Sequence, residues 1–253
     1  MKIYVMDTEV LAEQNIYEQI MKVLPEARLN KIRAVKQEQG KLLSAAAGFL
    51  LLFGISGQSD LLHISDKESG PDTDYQPPVE YLIGVQGKPA LIVNGKKLFY
   101  NLSHSKTKAA CVIAHEECGI DLERVTPRRV KESLIRKVCT DRERVLLSQM
   151  KEEERRNLFF KLWTGKESVM KWDGRGMAMG PDTIEVSDLL VQDEVEVEIC
   201  GGEESSRNRK AVTVHSFAIE DHYLSVCCEK DTKIQLLVVD KAAVERFLRG
   251  LGK

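Results

Sequence analysis

The chain has no CxxC pair, no metal-finger spacing among its six cysteines, and no apolar run at its start. The first two absences exclude a zinc-ribbon or dithiol redox centre, and the third gives no secretory signal. Cys111, Cys118, Cys139, Cys200, Cys227 and Cys228 are therefore expected as reduced thiols of a cytoplasmic protein. A long hydrophobic run is missing too. The most apolar stretch, Leu42 to Ile55, carries Ser44, Gly48 and Gly54 and is shorter than a bilayer-spanning helix, so it is expected as a buried helix with no membrane role. There is no excess of either charge: 37 Lys and Arg against 39 Asp and Glu leave −2, which gives no global attraction to nucleic acid or anionic lipid. Any polyanion must be met by a local cluster. No low-complexity tract or repeat interrupts a chain of 253 residues that is 43% hydrophobic and 30% charged, a balance that suits one large globular domain or two ordinary ones.

What is present centres on Gly119-Ile120-Asp121-Leu122-Glu123. Apolar and acidic residues alternate, so in an extended strand Ile120 and Leu122 face one side while Asp121 and Glu123 share the other. Like charges roughly 7 Å apart on one face repel, and a hard cation such as Mg2+ would reverse that cost. A half-exposed strand with its acids in water fits the same five residues.

Before it, Met1 to Met6 has a strand period, and Val10 to Leu24 a helical one. Pro25 to Gly57 is helical again, with Arg28, Lys31, Arg33, Lys36 and Lys41 in its first half and apolar residues in its second. Ser65 to Pro78 is expected as an exposed loop. Short strands are expected at Tyr81 to Val85, Ala90 to Val93 and Lys97 to Leu102, the last two joined by an Asn94-Gly95 hairpin turn. Ser103-His104-Ser105 offers short polar groups and a histidine able to bind phosphate oxygens. Ser103 and His104 are not nucleophile and base, because neighbours on an extended chain point apart. Ala109 to His115 follows as a strand.

Downstream, helices are expected over Arg128 to Val138, from a capping box at Thr140 to Glu143, and through Leu158 to Trp172. In the last of these, Glu167 and Lys171 share a face, which alone is worth about 0.3 to 0.5 kcal/mol as a surface ion pair. Gly165 within it costs about 1 kcal/mol relative to Ala and suggests close approach by another group. The last third reads as strands at Thr183 to Val186, Val195 to Ile199, Ala211 to Ile219, Tyr223 to Cys228 and Ile234 to Val238, with a turn at Gly201 to Lys210 and a closing helix at Ala242 to Leu251.

Taken in order, Gly87-Lys88-Pro89, Asn101-Leu102-Ser103-His104-Ser105, Gly119-Ile120-Asp121-Leu122-Glu123 and Trp163-Thr164-Gly165-Lys166-Glu167-Ser168-Val169-Met170-Lys171 resemble the surfactin-synthetase-activating type of the 4'-phosphopantetheinyl transferase superfamily. The likeness runs from the basic N-terminal helix to about Val186. It departs from the family at Thr164-Gly165, where the second residue is usually larger.

The resemblance implies an α+β fold of two similar lobes related by a pseudo-twofold, each a small, mainly antiparallel sheet packed on a long helix, with the active site in the cleft between them. Residues 1–105 would form the N-terminal lobe and 106–253 the C-terminal lobe carrying the metal site. It implies transfer of 4'-phosphopantetheine from coenzyme A to a serine of an acyl or peptidyl carrier protein, releasing adenosine 3',5'-bisphosphate, by a monomer using Mg2+ or Mn2+. Asp121, Glu123 and Glu167 would be the metal ligands, with Glu167 also the base for the carrier serine. Lys171 would contact the phosphates; Lys88, Pro89, Ser103 and His104 would hold the nucleotide, with His104 also counted among the catalytic residues, and Lys31, Arg33 and Lys41 are looser candidates for the same task. Two other functions use the same residues: a non-catalytic module binding coenzyme A or a carrier, and a metal-dependent phosphoesterase.

Overall fold

The computed structural model describes residues 1–56, 79–84, 87–200 and 209–251. The loop expected at Ser65 to Pro78 lies outside them, as does the turn expected from Gly201 up to residue 208; Lys210 already belongs to a strand. The fold is mixed α+β and divides into two compact units.

The first unit comprises Met1–Gly84, Pro89–His115 and Ile234–Lys253. Its strands are β1 (Lys2–Asp7), β2 (Val79–Ile83), β3 (Pro89–Val93), β4 (Lys96–Ser105), β5 (Lys108–Ala114) and, from the far end of the chain, β10 (Gln235–Val238). They form one sheet in the order β10-β1-β5-β4-β3-β2. All pairs are antiparallel except β1 with β10, where Ile3 lies opposite Leu236. The Asn94-Gly95 signal is a tight hairpin between β3 and β4: both residues have positive φ, 50° and 76°, as a turn matched to strand twist requires.

The helical stretch expected from Pro25 to Gly57 is two helices, α2 (Glu26–Ala34) and α3 (Glu38–Ser56). Ahead of them, a 3-10 turn at Thr8–Ala12 precedes α1 (Gln14–Val23), where one helix from Val10 was expected. By length and composition α3 could cross a bilayer, yet more than half of its apolar stretch is buried inside the protein. Ala45, Ala46, Phe49 and Leu50 are fully enclosed. Phe49 meets Phe247 of α7 (Lys241–Leu251) edge to face at 5.5 Å between ring centres.

The second unit comprises Val85–Lys88 and Glu116–Lys233. It holds β6 (Gly119–Arg124), β7 (Glu194–Cys200), β8 (Arg209–Ile219) and β9 (His222–Cys228) in an antiparallel sheet ordered β6-β9-β8-β7. Its helices are α4 (Glu132–Val138), α5 (Asp141–Ser148) and the long α6 (Glu152–Asp173). The Thr140 capping box is present with both of its hydrogen bonds. Thr183 to Val186 is not a strand. Pro181 opens a 3-10 turn over Pro181–Thr183, and a second follows at Ser187–Leu190. Among the described residues Cys111, Cys118, Cys139, Cys227 and Cys228 are free thiols, and all are buried.

Removing the Phe49 ring leaves a cavity the surrounding helices cannot fully close. Phe49→Ala is expected to destabilise the protein by about 3–5 kcal/mol, read as a shift of the urea midpoint followed by circular dichroism.

Candidate functional site

The second unit carries the acidic strand and the helix expected to face it. On β6, Ile120 and Leu122 are fully buried; Asp121 is 5% exposed, and Glu123 is half-buried. Helix α6 packs on the face of β6 that holds Gly119 and Asp121, close enough that its backbone passes Gly119 directly. Three acids at its start, Glu152 to Glu154, complement the positive end of the helix dipole, and Lys171 lies in its last turn. Gly174 ends it at φ 96°, a left-handed cap conformation that glycine adopts without steric cost, with its N–H donating to the Met170 carbonyl at 2.9 Å. A buried hydroxyl pair ties helix to sheet: Thr164 Oγ1 and Ser225 Oγ lie 2.8 Å apart, and Ser225 stands opposite Asp121 in the strand register.

This packing brings four of the expected residues together. Lys171 Nζ donates to Asp121 Oδ1 at 2.8 Å and to the Ile120 carbonyl at 2.9 Å. Glu167, half-buried one turn earlier, holds its proton more tightly than an ordinary glutamate. Burial is the main cause, Asp121 and Glu123 add to it through like charge, and Lys171 opposes it. As the side chains stand, no group of three His, Cys, Asp or Glu residues converges to hold a metal among the described residues. The Lys171 ammonium is the cation beside Asp121. The donor set nevertheless suits a hard divalent cation: three carboxylates, one of them already strained by the charge of the other two.

Lys88 also belongs to this unit. Its ammonium donates to Glu117 Oε2 at 2.8 Å and to the Trp172 carbonyl, and it lies 5.4 Å from the Trp172 ring centre. The side chain is 15% exposed, and the positive charge sits at the C-terminal end of α6, where a helix favours it. Glu117 and Trp172 are the partners that sequence reading missed. Trp172 Nε1 donates to the Glu117 carbonyl at 3.1 Å, and no spacing rule links residues so far apart.

The remaining candidates lie in the first unit. Pro89 opens β3. Ser103 is buried and His104 exposed on β4, on opposite faces as their adjacency requires. Arg33 is paired with Glu26 at 2.6 Å and Lys41 with Glu38 at 2.6 Å, both on the surface and worth little to stability. Lys31 lines a small groove of about 70 Å3 with Arg28, Tyr81 and Tyr100. Arg28, named with the basic residues of this stretch but not among the nucleotide-binding candidates, lays its stem across Gly48 of α3, where an added Cβ would come within 2.8 Å of Arg28 Cγ.

Next to Glu167, Lys166 is fully buried and spends all its donors inside the protein. Nζ reaches the Pro181 carbonyl at 2.9 Å, the Ile184 carbonyl at 2.6 Å and Glu143 Oε2 at 2.7 Å. Glu143 also accepts from the Thr140 and Val186 amides, at 2.9 and 3.1 Å. Burial raises the Glu143 carboxyl's proton affinity, and Lys166 opposes that rise. Lys166→Met leaves a carboxylate buried without its cation and is expected to cost about 3–5 kcal/mol in urea unfolding, whereas adding Glu143→Leu restores part of the loss.

Residues 117–227 match the family described as the 4'-phosphopantetheinyl transferase superfamily. The chain is 39% identical over 82 residues to a protein named 4'-phosphopantetheinyl transferase HetI from Nostoc, covering 32% of this chain and 35% of that protein. It is 35% identical over 99 residues to the 4'-phosphopantetheinyl transferase AcpT of Salmonella typhimurium, covering 39% and 51%. With the 4'-phosphopantetheinyl transferase gsp of Aneurinibacillus migulanus it shares 24% identity over 150 residues, 59% of each chain. The matches thus span about a third to three-fifths of these relatives. The matched segment contains β6, α6 and all four residues of the acidic cluster, and over that segment the chain is similar to the 4'-phosphopantetheinyl transferase superfamily.

Proposed function

We propose that this chain transfers 4'-phosphopantetheine from coenzyme A to a serine of an acyl or peptidyl carrier protein, releasing adenosine 3',5'-bisphosphate. The observation that carries it is the meeting of Asp121, Glu123, Glu167 and Lys171 at the contact of β6 with α6, with the proton affinity of Glu167 raised. Three curated relatives named as such transferases support the same activity.

In this reaction the serine oxygen forms a bond to the phosphorus next to pantetheine, and the bond from that phosphorus to the bridging oxygen breaks. Glu167 takes the serine proton. Lys171 meets the phosphate oxygens, and its present hold on Asp121 exchanges for that contact. Asp121, Glu123 and Glu167 would hold Mg2+ or Mn2+, which when bound would supply positive charge against the negative charge gathered on the phosphates. Ser103, His104, Pro89, Lys31, Arg33 and Lys41 serve the nucleotide, and Lys88 does so from its place at the end of α6. The fold in this proposal is two-lobed and pseudo-twofold, and the protein works as a monomer. The reducing cytoplasm is its setting, in keeping with buried free thiols.

Incubation with coenzyme A, Mg2+ and apo carriers of both acyl and peptidyl type is expected to add a phosphopantetheine mass to at least one of them. Glu167→Gln and Asp121→Asn are each expected to lower that rate by at least about 10²-fold. Coenzyme A binding without transfer would instead mark a binding module, and its hydrolysis without a carrier a phosphoesterase; either result with no carrier loading overturns the proposal.

A further inference from the structure

Gly119 faces the backbone of α6 with nothing in between. A Cβ built there would stand 2.1 Å from the Ser168 carbonyl oxygen, 2.4 Å from the Trp172 nitrogen and 3.0 Å from the Lys171 carbonyl carbon, where ordinary contact begins at 3.4 Å. Backbone dihedrals do not demand the glycine, since Gly119 is not among the positive-φ residues. Space demands it. The atoms it would strike are main-chain atoms of the two turns that carry Glu167 and Lys171, and main chain cannot swing aside as a side-chain tip can.

From this contact we infer that Gly119 is a positioning residue: its missing side chain sets the distance between Asp121 and Glu123 on β6 and Glu167 and Lys171 on α6. The inference rests on the functional reading above for the purpose of that spacing, but the spacing itself is a property of the helix–strand contact. Any side chain at 119 drives α6 off the sheet by about 1 Å, a misplacement of the size that disables an assembled site. A divalent cation that demands near-octahedral oxygen geometry is the most sensitive reporter of that change. Gly165 offers the contrast on the same helix. There an added Cβ meets Leu189 Cδ1 at 2.7 Å, the end of a flexible side chain, so the neighbour yields and the helix stays.

Mn2+ binding measured by electron paramagnetic resonance tests this without reference to turnover, with thermal unfolding by circular dichroism as the check on folding. Gly119→Ala is expected to weaken Mn2+ binding at least about tenfold, while Gly165→Ala stays within about twofold of the wild type. A folded Gly119→Ala protein that binds Mn2+ as tightly as the wild type overturns the inference, as does a wild type that binds none. Should Gly119→Ala not fold, Ser225→Val adds bulk to the same helix–sheet layer beside Thr164, and unchanged Mn2+ affinity in that variant overturns it equally. Carrier loading is run on the same proteins. A wild type that binds Mn2+ but loads no carrier removes the transferase proposal and leaves the role of Gly119 to be decided by the Mn2+ values.

Discussion

Carboxylates do not gather on their own; at neutral pH they repel, and burial strengthens the repulsion by removing the water that would screen it. Asp121, Glu123 and Glu167 are held near one another because the contact between β6 and α6 is fixed by forces that have nothing to do with their charge. Those forces are the bare approach at Gly119, the Thr164–Ser225 hydroxyl pair, and the apolar face that Phe159, Leu162 and Val169 turn to the core. Burial first, and the like charge of Asp121 and Glu123 after it, raise the proton affinity of Glu167. Lys171 offsets part of it at close range to Asp121.

Helix α6 divides its labour between adjacent residues. Side chains one position apart on a helix diverge by about 100°, so Lys166 and Glu167 cannot look the same way. Lys166 turns inward, where Glu143 and two carbonyls take up its donors; Glu167 turns toward β6 and keeps part of its surface in solvent. An ion pair with no exposure on either side locks the azimuth of the helix, and that azimuth decides where the next carboxylate points. Lys88 does related work at the other end, holding the Trp172 carbonyl in the last turn. Two lysines thus fix α6 about the cluster from outside it.

Much of this was legible in the chain. Period-2 alternation in Gly119 to Glu123 reports a strand with one acidic face, and the Asn94-Gly95 pair and the Thr140 capping box are local signals that carry their own geometry. Elsewhere local pattern misled. Thr183 to Val186 has strand composition, but Pro181 opens a 3-10 turn that takes in Thr183, and residues 184–186 pass between that turn and the next with the Ile184 carbonyl held by Lys166 rather than by a sheet partner. The helix expected from Pro25 to Gly57 divides after Ala34. That Glu117 would pair with Lys88, or that Gly119 would meet the Ser168 carbonyl, was hidden for a simpler reason: such contacts join residues dozens of positions apart and exist only once the sheet has formed.

The pairing of β1 with β10 has a consequence for how the chain comes to be folded. Ile3 and Leu236 are neighbours in space yet far apart in the order of synthesis. The sheet of the first unit is therefore missing a border strand until Gln235–Val238 has been made, and its Phe49 cluster is missing Phe247 until Lys241–Leu251 has followed. The second unit, by contrast, is nearly one continuous run from Glu116 to Lys233 and can close as it emerges. Contacts of such long range carry the largest loop-closure cost and form slowly. The acidic cluster thus lies wholly within that continuous run, while the parallel strand at the rim of the other sheet comes from residues that follow it.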